Sequence, residues 1–310
     1  MPKQILIADS TQINCFLECK ERWRLSHLEN LTRFDGDANK KAMHKGTYGH
    51  KLLELYYKSK TNSLLAKYAM EYAIDWIPEL DICTCGRYKD KHIEDQSLCA
   101  EFTAAPYPLT QEEIIQVQNR FRLYCATYEA RGTDIEPVDM DSIELGFSNV
   151  VYESDDYLFI LEGKIDLIGK IQNIPIIMDH KWQDRARRLY SKSIQFRNYC
   201  WAAECDTLVV NYIRMAAAVN NETFVRDITS FSKQELTKWK EELTKIFFEM
   251  LAYKIKPFYL GYSTEKNWAS CSGKFGYQCE FTQICEQQFI PAIDLIKSTQ
   301  YKQKQEWRPW

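Results

Sequence analysis

The chain has 310 residues, 45% hydrophobic and 27% charged, the balance of a soluble globular protein that can bury one large core or one core with an inserted subdomain. A net charge of −3 argues against a generally basic polyanion binder and leaves local charge as the informative quantity. No apolar run approaches the roughly 20 residues of a membrane span, and the start, MPKQILIADSTQ, lacks the basic-then-apolar pattern of a secretory signal, so a reducing cytoplasm is the expected compartment.

In that compartment 11 cysteines, odd in number and unevenly clustered, point to metal ligands more than to disulfides. Residues 10–25, STQINCFLECKERWRL, predict a helix capped by Ser10 or Thr11, with Ile13, Phe16, Leu17 and Trp23 as its apolar stripe and Cys15 and Cys19 on one face. Residues 45–58, KGTYGHKLLELYYK, predict a glycine-bearing turn entering a helix. There His50 and Glu54 share a face, while Leu52, Leu53, Tyr56 and Tyr57 cover the core side. Residues 62–135 are mostly helical by pattern but contain a polar loop, 83–99, in which Cys83, Cys85, His92 and Cys99 follow C-x-C-x6-H-x6-C. Two close thiolates, an imidazole and a third thiolate suit a closed, structural tetrahedral Zn²⁺ site; the alternative is a flexible loop with incidental cysteines.

The sheet begins with a strand over 143–151. Next come two neighbouring strands within 158–181, LFILEGKIDLIGKIQNIPIIMDHK, the first broken at Gly163. Ile174 to Met178 reads as a strand buried on both faces that delivers Asp179 and Lys181, two apart and therefore on one side. Charges ending such a strand require a partner: either an Asp–Lys ion pair or a divalent cation held by Asp166 and Asp179 beside Lys181. Arg185, Arg187, Arg188 and Lys192 follow, and a basic helix is expected over about 187–204, carrying Gln195 and Tyr199 at i, i+4. Strands are expected over 207–215 and 224–231, then an amphipathic helix over 232–253 capped by Ser232. The tail, 257–310, holds Cys271, Cys279 and Cys285 as C-x7-C-x5-C, which suits zinc or an iron–sulfur cluster given a fourth ligand. No G-x4-G-K-[ST] sequence marks an ATP-driven motor.

Taken in order, STQINCFLECKERWRL, GTYGHKLLE, GKIDLIG, IIMDHK, QFRNY and the cysteine tail resemble the PD-(D/E)XK nuclease superfamily, specifically its RecB-like exonuclease branch with an iron–sulfur cluster, the AddB and CRISPR-adaptation type. The resemblance implies an α/β restriction-endonuclease-like core, a central mixed sheet flanked by helices, as a single domain over 1–310 with the 62–135 stretch as an insertion. It also implies that His50, Asp166, Asp179 and the His180 backbone carbonyl bind catalytic Mg²⁺ or Mn²⁺. Lys181 would orient or deprotonate the attacking water. Gln195 and Tyr199 would contact DNA, with Arg185, Arg187 and Arg188 as a phosphate-tracking surface. Cys19, Cys271, Cys279 and Cys285 would ligate a 4Fe–4S cluster. The sequence departs from the family pattern at Lys20, where a proline commonly follows the first cysteine, and in the long Cys271–Cys279 gap. The implied activity is metal-dependent DNA exonuclease action at ends or single strands, in recombination, repair or phage DNA processing. The alternatives are a non-catalytic DNA-binding scaffold on the same fold and a redox-sensing cluster.

Overall fold

The structure, a computed structural model, describes residues 3–33, 41–76, 109–183, 193–215, 219–220, 222–255, 266–271, 278–287 and 289–304. In chain order the elements are β1 (Gln4–Ala8), α1 (Ser10–Glu18), α2 (Lys20–Trp23), a π-helical turn (Arg24–Leu28), β2 (Leu31–Arg33), α3 (Lys41–Thr61), α4 (Ala69–Ile74) and α5 (Gln111–Ala130). Strands β3 (Glu136–Pro137), β4 (Ile143–Glu153), β5 (Tyr157–Ile171) and β6 (Ile174–Gln183) follow, then α6 (Ile194–Ala202), β7 (Thr207–Arg214), β8 (Phe224–Ser230) and α7 (Lys233–Ile255). Helices α8 (Thr282–Glu286) and α9 (Ile290–Gln300) and strand β9 (Tyr301–Gln303) complete the described chain. This is an α/β fold with a seven-stranded mixed sheet flanked by helices.

Strand β5 is its spine. Leu158 to Leu161 pair with β4 on one side and, in parallel, with β1 on the other. Further along, Leu167 pairs with Ile143 of β4 and with Met178 of β6. A strand has only two edges, so β1 and β6 lie one after the other on the same side of β5. Between them Glu162 to Asp166 have no ladder partner on that side among the described residues. The β5–β6 hairpin closes with Gln172 and Asn173 at φ of 51° and 67°, the left-handed pair that a two-residue turn needs to match strand twist. Antiparallel pairing runs from this turn only to Leu167 and Met178; β6 then continues alone alongside β7 through Gln183. The two strands fork at Asp166 and Asp179.

The sheet separates two cores. One gathers Phe16, Trp23, Phe159, Leu161, Ile165, Ile177, Tyr212 and residues of α6 and α7; the other gathers Tyr48, Leu52, Tyr57, Phe121, Tyr124, Leu167, Met178 and Trp182. Neighbouring strands change allegiance at the same level: Ile165 and Phe147 belong to the first core, Leu167 and Ile143 to the second. The sheet therefore coils sharply where Asp166 and Glu144 lie, and Glu144 takes a φ of 55° there.

Several expectations need correction. The helix expected over 10–25 is interrupted at Cys19, whose backbone is extended (φ −162°, ψ 112°), and Asp9 rather than Ser10 or Thr11 caps α1, its Oδ1 accepting from Gln12 N at 2.7 Å. Leu17 is half exposed, not part of the buried stripe. Gly163 does not break β5. A Cβ there would stand 2.5 Å from the Phe147 ring, so glycine gives that ring its place. Gly46 and Gly49 lie inside α3 rather than in a turn, because the helix crosses the sheet over Trp182. The cap of α7 is as expected: Ser232 Oγ accepts from Glu235 N, and the Glu235 carboxylate accepts from Ser232 N.

At Gly49 an added Cβ would lie 2.2–2.6 Å from the Trp182 indole. Gly49→Ala should therefore cost about 1–3 kcal/mol of stability, the usual penalty for overpacking. Because His50 is the next residue, the same change should weaken divalent-metal binding. Urea denaturation and Mn²⁺ titration of the variant check both effects.

Candidate metal centre

The fork brings four sequence-predicted residues together. Asp179 and Lys181 leave β6 on the same side, and Lys181 Nζ donates to Asp179 Oδ1 at 3.0 Å and stands 2.9 Å from Oδ2. Asp166, the β5 residue next to the last β5–β6 pair, accepts the His180 N–H at Oδ2 over 2.7 Å. Helix α3 brings His50 across, with Nδ1 3.3 Å from Asp166 Oδ2. Asp179 is buried; Asp166 and His50 keep partial access to solvent.

A fifth group was not singled out in the sequence. Glu144 lies across from Asp166, between the Ile143↔Leu167 and Leu145↔Ile165 pairs, and its Oε2 is 2.6 Å from Lys164 Nζ. His50, Glu144 and Asp166 each place a ligand atom within 4.8 Å of the others. The available signal was an acidic residue inside an apolar strand, a pattern that ordinarily marks a solvent-facing position.

Behind the acids, the other face of β6 is anchored by side chains. Asn211 Nδ2 lies 2.9 Å from His180 Nδ1, and Tyr57 stacks on the imidazole with ring centres 6.0 Å apart. Tyr128 donates to Asn211 Oδ1 at 3.5 Å, which leaves the Asn211 amide group facing the imidazole. Tyr57 Oη also meets Tyr124 Oη at 2.9 Å and donates to Asp134. The His180 backbone is held from its own side chain.

Charge crowding shapes the site. Burial, then the neighbouring Glu144 carboxylate, raises the Asp166 carboxyl well above the usual range, against Lys181, the His180 N–H and Lys164. Burial likewise pushes Asp179 up to about 6, with Lys181 opposing and Asp166 adding to the rise. His50 is held low, first by burial, which leaves it a neutral imidazole suited to ligation.

Gln195 and Tyr199 of α6 sit at the same end: Gln195 Nε2 donates to Tyr199 Oη at 2.7 Å. Tyr199 is buried with its ring edge-on to Phe147, and burial and the Asp179 and Asp166 charges push its phenol upward. Arg185, Arg187 and Arg188 lie outside the described residues, as do Cys83, Cys85, His92 and Cys99.

The C-terminal tail docks on the break between α1 and α2. Asn267 Nδ2 and Ser270 Oγ donate to Glu18 O, and Cys279 N donates to Cys271 O, bringing the tail to the break that carries Cys19. Burial raises the Cys271 thiol, and Cys279 and Cys19 raise it further. Cys285 is pushed up to about 12 by burial, then by Glu21, with Cys279 and Cys19 contributing. Among the described residues no three of these thiols lie within 4.8 Å of one another.

The raised carboxyls fix a pH dependence. Both bind protons more tightly in the folded than in the unfolded chain, so the native state carries more protons from about pH 4 upward, and metal-free stability falls as pH rises toward 7. A divalent cation replaces those protons. The rise in Tm on adding Mn²⁺ should therefore be small at pH 5 and large at pH 7.5, and Asp179→Asn should flatten the trend. A Tm increment independent of pH, in thermal denaturation with and without Mn²⁺, would contradict this.

No curated protein matches the chain. Among solved structures, the crystal structure of SSO0001 is similar at 11% identity and a TM-score of 0.31, over 58% of this chain and 73% of that one. No helix of the described residues is long and apolar enough to cross a membrane. The sequence profile of the PD-(D/E)XK nuclease superfamily matches residues 10–286, which takes in the forked strands, His50, Lys181 and the last of the four cysteines; the chain belongs to the PD-(D/E)XK nuclease superfamily.

Proposed function

We propose that the protein is a Mg²⁺- or Mn²⁺-dependent DNA exonuclease, acting on DNA ends or single strands in recombination, repair or phage DNA processing. The observation that carries the reading is the fork itself. Two carboxylates from adjacent strands, Asp179 buried and Asp166 partly so, meet there, one in contact with a lysine and the other with an imidazole.

The donor set fits a hard or borderline divalent cation: Asp166 and Asp179 oxygens, the His180 carbonyl and the His50 imidazole would hold it and leave room for water and phosphate. When bound, such an ion lowers the pKa of a water and neutralises charge gathering on the phosphate. The remaining work falls to the chain. Lys181, held on Asp179, would orient the attacking water or, in its neutral form, take the water's proton. Gln195 keeps the Tyr199 hydroxyl turned at the end of α6, where DNA passes. Arg185, Arg187 and Arg188 follow β6 in sequence and would meet the phosphates beyond the cleaved bond.

Cys19, Cys271, Cys279 and Cys285 would ligate a 4Fe–4S cluster, which fastens the tail to the α1–α2 break. Cys83, Cys85, His92 and Cys99 would bind a structural Zn²⁺ on ligand type and spacing.

End-labelled single- and double-stranded oligonucleotides incubated with Mn²⁺ should shorten from their ends. Asp179→Ala and Lys181→Ala should each abolish cleavage, by about 10³-fold or more where the residue acts in the transition state, with folding unchanged by circular dichroism. Full cleavage by Asp179→Ala would refute the assigned centre. Cys285→Ser should lower the iron content and the Tm together while leaving Mn²⁺ binding intact.

A further inference from the structure

The face of β5 that carries Asp166 does not end at the fork. Successive side chains of a strand alternate between faces, so Lys164, Glu162, Ile160 and Leu158 share it, while Phe159 and Leu161 fill the first core behind. Paired residues of neighbouring strands share a face too. Val150 of β4 and Ile7 of β1 flank Ile160, and Ile5 flanks Leu158. Ile5 is 51%, Val150 48% and Ile7 43% exposed, and Leu158 and Ile160 are only partly buried. Single exposed aliphatic residues are ordinary, whereas these five are contiguous across three strands and make a patch that needs a partner. Charge brackets it. Lys164, 38% exposed and 2.6 Å from Glu144, stands between the patch and the metal centre, and Lys3 closes the far edge, 2.6 Å from Glu153. Ile160 precedes Asp166 by six residues, which is about 20 Å at about 3.3 Å per residue. That distance spans about six nucleotides at the stacked repeat of about 3.4 Å along one DNA strand.

We propose that this face seats single-stranded DNA: a strand held at the centre passes its phosphates by Lys164 and rests its bases on Ile160, Ile7 and Val150. The proposal rests on the nuclease reading and narrows its substrate to unpaired strands. What each form of DNA exposes decides between them. A duplex turns charged phosphates outward and keeps its base faces stacked inside, so an aliphatic surface gains nothing against it. A single strand exposes flat, apolar base faces, and covering them with aliphatic side chains removes apolar surface of both from water. Lys164 supplies the matching charge, since its ammonium sits on a flexible stem and can leave Glu144 for a phosphate. The patch continues the sheet face of the metal centre along one unbroken strand, which favours the substrate over a protein partner as its occupant.

The test is a length dependence. With the full chain and Mn²⁺, KM for oligonucleotides of increasing length should fall until about six nucleotides and then level off when they are single-stranded, and blunt duplexes of the same lengths should show no such fall. Replacing two surface residues together, Ile7→Ser with Val150→Ser, should abolish the fall and raise KM for the longer strands about tenfold, to the value of the shortest. Ile7→Trp should act in the opposite direction and lower KM severalfold, because an indole offers a larger face for stacking. Lys164→Met should reduce the salt dependence of KM by about one phosphate contact. An unchanged length dependence in the double serine variant, folded by circular dichroism, would overturn the proposal while sparing the nuclease reading, and so would duplexes that improve with length as single strands do. A wild-type dimer in light scattering that the double serine variant splits into monomers would assign the face to a second copy and equally overturn it. Wild-type protein that cleaves no DNA of either form would overturn both readings together.

Discussion

One hydrogen bond stands where a sheet ladder would otherwise continue. Past Leu167 and Met178 the β5–β6 pairing ends, and the His180 N–H donates to the Asp166 carboxylate at 2.7 Å. A backbone donor that close to a carboxylate offsets part of the cost of burying it. It also ties the two strands together beyond the point where they separate. The remaining compensation is incomplete. Lys181 serves Asp179 and Lys164 serves Glu144, yet burial and mutual repulsion still leave Asp166 and Asp179 with raised pKa values. Folding has assembled more negative charge than the resident side chains neutralise, the electrostatic condition under which a cation binds strongly and protons compete for its place.

That assembly survives because β6 divides its labour by the two-residue period of a strand. Asp179 and Lys181 serve the centre. His180 and Trp182 face the second core, where Asn211 and Tyr57 hold the imidazole and α3 crosses the indole at a glycine. Helix α3 thus packs on one pair of residues while presenting His50 to the acids beside the other. The close approach is purchased at Gly49: any side chain there would lift the helix and withdraw the imidazole from Asp166. Positioning of the metal ligands and packing of the second core are one arrangement viewed from two faces of the sheet.

Much of this was legible in the sequence, and the reason differs by element. IIMDHK announced itself because a buried apolar run ended in charge, and KLLELYY because its apolar residues recur at helical spacing. Gln195 and Tyr199 share a helix face by their i, i+4 interval, their role came from the family resemblance, and their hydrogen bond to each other is seen in the structure. Glu144 was not legible, since alternation treats an acid in a strand as a solvent-facing residue. What turns it inward is a local coiling of β4 and β5 and a left-handed φ that no side-chain pattern encodes. Gly163 misled for a related reason: glycine ordinarily weakens a strand, but here the missing Cβ makes space for Phe147, a contact between strands rather than within one. The break at Cys19 was hidden by a helix-compatible sequence on both sides of it.

The same break explains how the chain's two ends are joined. Among the described residues, the buried apolar cluster of the C-terminal lobe includes Leu25 and Leu31 from the N-terminal segment, so the lobe builds its core against that segment. Strand β2 pairs with β9, Lys297 reaches Glu29, and Arg24 is held by the carboxylates of Glu21 and Glu29. These contacts carry the tail to Cys19 before any cluster is considered. Because the extended residue at Cys19 ends α1 and restarts the chain as α2, the thiol stands at a corner instead of along a helix face, next to residues 267–271 bonded to Glu18. A helix continuing unbroken through residue 19 would satisfy its own carbonyls and leave Glu18 O unable to receive Asn267 and Ser270. The interruption is therefore what converts a surface helix into the seat of the tail, and ligation by the four cysteines would lock a junction that backbone geometry has already prepared.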